Sequence, residues 1–186
     1  MFTNTQHFMK SRRDSNRGFS LIEVMVVVAI IAILGGLAAP EFAASIKRYR
    51  VNALSEELIG SIQLARSEAI RRGFPVLMVR TTGCGATLVD ANDWSCGWEI
   101  VVDTNSNGAK TTGEPVLQVF SVVSSYGVMH PGLGDVMQLN VWGQAQGVGQ
   151  RFVLTPPEGV SGTATTTLCL NAGGRIRKLV GDATCP

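Results

Sequence analysis

Two arginines two residues apart, Arg175 and Arg177, with Lys178 beside them, form the most useful chemical pattern in the C-terminal part of this 186-residue sequence. On a strand that spacing sends both guanidinium groups to one side and Ile176 to the other. Two planar forks on one face suit phosphate oxygens, because each fork offers paired N–H donors in fixed geometry. A second pattern is a lone carboxylate, Glu23, within the otherwise apolar run 19–39. A carboxylate inside a membrane helix is costly and needs a partner of opposite charge. A third is Asp103-x-Asn105-x-Asn107-Gly108, followed six residues after the glycine by Glu114, which fits the spacing of a calcium loop. Its context does not fit, because both flanks read as strands where a calcium loop of this type needs helices. A hairpin turn is expected there, with Asp and Asn bonding their own backbone, and no metal is assigned. No glycine-rich phosphate loop follows a strand and no nucleophile stands beside an evident base. An enzyme is therefore not expected, and no cofactor is assigned.

These groups need elements to hold them. The run 19–39 has the length of a bilayer-spanning helix. Lys10, Arg12, Arg13 and Arg17 precede it against Asp14 alone, and the remainder of the chain carries 12 basic and 13 acidic side chains. The net charge of +2 thus predicts no polyanion partner by itself. Basic residues ahead of an apolar span favour a cytoplasmic N-terminus with everything after the span exported. Four cysteines, Cys84, Cys96, Cys169 and Cys185, fit an oxidising compartment. Three pairings are open; proximity in sequence favours Cys84 with Cys96 and Cys169 with Cys185. Zinc is disfavoured, since short-gap ligand pairs are missing and His7 and His130 lie far from the cysteines.

Beyond Pro40, which should kink the helix, Leu54, Leu58, Ile62, Ala65 and Ala69 recur at three- and four-residue steps. This amphipathic continuation, 40–73, should pack one face on a sheet and stop at Arg71, Arg72, Gly73 and Pro75. One long helix over 19–72 is expected. From Phe74, strand-like runs at 74–81, 86–91, 97–103, 115–123, 136–142, 151–155, 164–170 and 174–180 alternate with turn residues. The fold class is α+β, a long N-terminal helix packed on antiparallel sheets, with a β-rich head over 74–186. Trp94 and Trp98 are expected in its core.

The junction Arg17-Gly18-Phe19-Ser20-Leu21-Ile22-Glu23-Val24 resembles the class III signal of type IV pilins and type II secretion pseudopilins. The resemblance implies a leader, 1–18, cut between Gly18 and Phe19 by a prepilin peptidase, with Phe19 then N-methylated. It also implies that Glu23 offsets the amino-terminal charge of a neighbouring subunit during filament assembly, so other pilins or pseudopilins are partners. Trp94-Ser95-Cys96-Gly97-Trp98 with the turn that follows, the helix segment Leu64-Ala65-Arg66-Ser67-Glu68-Ala69, and the late Gly174-Arg175-Ile176-Arg177 resemble the GspH/FimT group of minor pseudopilins. FimT-type minor pilins bind DNA in natural transformation through such a tail. The resemblance carries contact with double-stranded DNA onto Arg175 and Arg177, with Lys178 added from charge alone. The implied protein is a minor pilin in the inner membrane, single-pass with a periplasmic head, and later part of a pilus. The alternative is a GspH-like minor pseudopilin of a type II secretion pseudopilus, which contacts other pseudopilins instead of DNA.

Overall fold

The computed structural model describes residues 18–85, 87–123, 125–132, 134–147, 149–160 and 164–186, and of residues 37–40 the backbone alone. Apart from Gly18, the expected leader lies outside the described residues. The chain divides into two compact units, Met1–Pro40 and Glu41–Pro186.

In the first unit, helix α1 (Leu21–Arg72) begins behind a Ser20 cap. The Ser20 hydroxyl accepts the Glu23 N–H at 3.2 Å, satisfying one of the donors left open at a helix start and placing Glu23 in the first turn. The side chains from Leu21 to Leu34 are exposed, and Phe19 is 82% exposed. Among the described residues no single helix is long and apolar enough to cross a membrane; Leu21–Gly36 and Glu41–Arg72 meet that measure only as a pair. The run 19–39 read from sequence extends beyond Leu21–Gly36 at both ends, by Phe19 and Ser20 and by residues 37–39.

In the second unit, Val51, Leu54, Leu58, Ile62, Ala65 and Ala69 are all buried, so the spacing read from the sequence is the face that packs. Gly73 ends α1 in the left-handed region (φ 71°), and its N–H reaches the Ala69 carbonyl at 2.9 Å. Arg71 and Arg72 in the last turn both bind Glu68, at 2.6 and 2.5 Å, and these bonds hold the Glu68 carboxyl down at about 2.

Among the described residues eight strands follow, all antiparallel where paired. They are β1 (Val76–Arg80), β2 (Gly97–Val102), β3 (Val116–Ser121), β4 (Gly127–Met129), β5 (Val136–Leu139), β6 (Gln150–Thr155), β7 (Thr166–Leu170) and β8 (Ile176–Val180). One sheet runs β3-β2-β1-β5 and the other β4-β6-β7-β8, leaving β8 at an edge. A single core joins the α1 face to both sheets through Met78, Trp98 and Ile100 on one side and Phe152, Leu154, Leu168 and Leu170 on the other. Trp94 and Trp98 are fully buried, as expected.

Two expectations need correction. The described part of 86–91 is not a strand, because Val89 N–H donates to the Asp93 carboxylate at 3.0 Å and Asn92 N–H to the Asp90 carboxylate at 2.7 Å. Short polar side chains here offer the backbone a local alternative to a ladder. Conversely, β4 is a three-residue strand that too short a pattern could not announce. The Asp103 loop is a turn braced from within. Buried Asp103 accepts the N–H groups of Asn107 and Gly108 at 3.0 and 2.9 Å, and Glu114 accepts those of Thr104 and Thr111 at 3.1 and 2.7 Å.

His130 is fully buried, stacked on Phe152 at 4.2 Å with Trp94 edge-on at 5.1 Å. Its Nε2 lies 2.7 Å from Gln150 Oε1. Burial pushes its pKa below the ordinary imidazole value, outweighing the bonds to Gln150 and the Gly134 carbonyl. The unfolded chain then takes up this proton first, so stability is fully present above about pH 6.5 and falls as pH drops toward the folded pKa. Thermal melts should fall from pH 7.5 to 5, by up to about 1.4 kcal/mol per pH unit for one proton. The His130→Phe variant, less stable at neutral pH, should lose that slope; an unchanged slope would reject the assignment.

Candidate functional site

Strands β7 and β8 form a hairpin that carries the predicted basic pair, Arg175 in its turn, 171–175, and Arg177 on β8. Asn171 organises it: its carbonyl accepts the Gly174 N–H and its side-chain oxygen accepts the Arg175 N–H, both at 2.8 Å. Gly174 has φ +83°, open to glycine without strain. The guanidinium of Arg66, on α1, donates to the carbonyl of Gly174 at 2.8 Å and reaches that of Gly173 at 3.5 Å. A Cβ on Gly174 would stand 2.0 Å from Arg66 Nη1, so a glycine is needed for this clasp to close.

Arg175 and Arg177 are exposed and line one cleft of about 150 Å³ with Leu170, Asn171, Cys169 and Cys185. Among the described residues neither guanidinium has a side-chain hydrogen bond or ion pair. Ile176 packs against the core, so the alternation expected of this strand holds. Lys178 does not line that cleft. It turns toward α1 and lies 3.2 Å from Glu56, on the side opposite Arg177 in the strand alternation. Its grouping with the arginines, drawn from charge alone, is therefore corrected.

The floor of the cleft is braced. Cys169 pairs with Cys185 and Cys84 with Cys96, the two local pairings favoured from sequence. The Cys169–Cys185 bridge closes 16 residues, a loop for which the chain-entropy account gives about 3 kcal/mol. Cys169 stands in register between Arg151 on β6 and Arg177 on β8. Arg151 ion-pairs with Asp182, and Thr167 Oγ1 bonds the Gly181 carbonyl and the Ala183 N–H, so the C-terminal segment is tied across this face. Arg66, Arg151 and Asp182 were not singled out as site residues. Arg66 and Gly174 are 108 residues apart, and no local pattern signals their contact.

At the other end of the chain, Gly18, Phe19 and Ser20 precede α1 without secondary structure. A Cβ built on Gly18 meets nothing within 4 Å, so the fold does not require glycine there.

An apolar N-terminal helix with an acid in its first turn, continued into a helix that packs on antiparallel sheets, defines a pilin-like protein. The family described as Type II transport protein GspH matches residues 54–184, and the prokaryotic N-terminal methylation motif matches residues 13–39. The chain belongs to this family, which places it among type IV minor pilins and pseudopilins. It is 30% identical over 168 residues to the pilin-like protein PilA1 of Thermus thermophilus, covering 89% of this chain and 93% of that one. The fold is similar to that of the type IV minor pilin FimU of Pseudomonas aeruginosa in two crystal forms. Their TM-scores are 0.52 and 0.54, each at 16% identity, covering 71% and 73% of this chain and 98% and 96% of FimU. Membership carries with it anchoring through the apolar helix, processing by a prepilin peptidase and assembly with other pilins.

Proposed function

We propose that this chain is a minor type IV pilin that binds DNA through Arg175 and Arg177 for uptake in natural transformation. It enters the inner membrane with its head in the periplasm and is cut between Gly18 and Phe19. Its methylated Phe19 and Glu23 then serve filament packing, the carboxylate offsetting the amino-terminal charge of a neighbouring subunit. The observation that carries the DNA reading is the pair of exposed guanidinium groups, without side-chain partners among the described residues, that line one disulfide-braced cleft. Unpaired arginine forks suit phosphate oxygens, and contacts to phosphate alone carry no base sequence. Two cations neutralise about two phosphates, so a single copy binds weakly and with strong salt dependence. Several copies in one filament raise avidity without a new contact.

Titrating labelled duplex DNA with the full chain in detergent micelles tests this. Salt-sensitive binding, lost in a folded Arg175→Ala, Arg177→Ala variant, is the expected result. A second reading, the minor pseudopilin of a type II secretion system, is favoured by the description of the matched family. It expects the wild type to ignore DNA at high protein concentration and to bind other pseudopilins.

A further inference from the structure

Of three tryptophans, Trp94 and Trp98 are fully buried while Trp142 is 72% exposed. Its exposure is held by a closed turn. Asn140 accepts the N–H groups of Trp142 and Gln144 on its side-chain oxygen at 3.0 and 2.9 Å, and that of Gly143 on its carbonyl at 2.8 Å. The turn rests on α1 beside Arg66. A Cβ on Gly143 (φ +72°) would lie 3.4 Å from Arg66 Cβ and 3.1 Å from the tip of Ile70. Arg66 therefore carries the Trp142 turn against its stem while its guanidinium holds the Gly173 and Gly174 carbonyls just ahead of Arg175. The turn that carries Trp142 and the turn of the basic hairpin thus meet the two ends of one arginine side chain.

A large aromatic surface is normally buried, so an indole kept in water by a braced turn asks for a flat apolar partner. With the basic hairpin at the far end of Arg66, the partner that supplies both a π-face and anionic oxygens on one chain is an unstacked nucleotide strand. Aromatic side chains stack on bases without regard to sequence, and cations follow the backbone. In a duplex the base faces are already stacked on one another.

We propose that Trp142 is a base-stacking residue of this surface, which takes single-stranded DNA with the indole on an unpaired base and Arg175 and Arg177 on the phosphates of the same strand. This rests on the DNA-binding reading above and names the form of DNA that the site prefers. The probes are a short oligothymidylate and a blunt duplex of equal length, titrated against the full chain in detergent micelles. Tryptophan emission reports on the contact directly, because the other two indoles are buried. The oligothymidylate is expected to quench emission and to bind more tightly than the duplex. In Trp142→Ala its affinity should drop roughly tenfold, the scale of one stacked base, with little change for the duplex. Trp142→Phe should restore most of the loss. An unchanged melting temperature in Trp142→Ala confirms that the fold is intact, as expected for so exposed a side chain. If Trp142→Ala binds the oligothymidylate as the wild type does, the stacking role is overturned while the arginine site stands. If the wild type binds neither probe, the DNA reading itself fails, and Trp142 with Ile70 would be left to a contact with protein.

Discussion

Gly18→Ala is expected to leave the chain at its precursor length, with no shortened band in cells whose prepilin peptidase processes the wild type. The peptidase and the fold make separate demands on this position. A methyl group on Gly18 meets nothing within 4 Å, so alanine is sterically free in the folded chain. Any block must then arise where a peptidase holds the junction, close to the start of α1. Removal of 18 residues takes about a tenth of the 19.8 kDa mass, a difference that gel electrophoresis resolves. A normally shortened band from the alanine variant would reject the assignment of the cleavage point.

The second large effect is on the fold. Gly97 opens β2 with φ +119°, and a Cβ there would stand 2.0 Å from the Phe120 carbonyl oxygen, with Phe120 C and Ser121 Cα at 3.0 Å. All three are backbone atoms of the neighbouring β3, which cannot rotate away as a side chain could. Gly97→Ala should combine backbone strain with overpacking, together roughly 2–6 kcal/mol. The melting temperature should fall by about 10 °C for a unit of this size. Gly60→Ala supplies the contrast: an exposed glycine inside α1 with open space around it should gain about 0.5–1 kcal/mol. Equal and small effects at the two positions would contradict the close approach of β2 and β3.

These glycines mark where sequence and structure part company. The Trp94-x-x-Gly97-Trp98 segment is visible in the sequence, and its tryptophans read correctly as core. That the glycine between them faces the backbone of β3 depends on the β2–β3 register, which is a tertiary fact. The buried stripe of α1 was legible because a 3.6-residue period declares itself over many turns, from Leu54 to Ala69. Strand-like composition at 86–91 misleads, since the Asp90 and Asp93 carboxylates accept nearby backbone N–H groups, and the Cys84–Cys96 bridge ties the same stretch back to the start of β2.

The basic site divides in the same way. The alternation that puts Arg175 and Arg177 together and Ile176 opposite is local, and so was readable. Alternation alone also sets Lys178 on the other face, yet counting charge had grouped it with the arginines; its pairing with Glu56 came only with the fold. The Arg66 clasp on Gly174 and the position of the Trp142 turn connect segments far apart in the chain, and no periodicity encodes them. What the sequence marked was the residue types; which groups remain unpaired and exposed was settled by packing.

The central claim, that Arg175 and Arg177 hold DNA phosphates, is most directly tested by fluorescence anisotropy of labelled duplex DNA titrated with the full chain in micelles at two salt concentrations. Two phosphate contacts predict a fall in affinity of about tenfold between 50 and 200 mM salt. Arg175→Ala with Arg177→Ala should abolish that binding at an unchanged melting temperature, while Lys178→Ala, already paired with Glu56, should retain most of it. Binding that survives the double substitution with the same salt dependence would contradict the account.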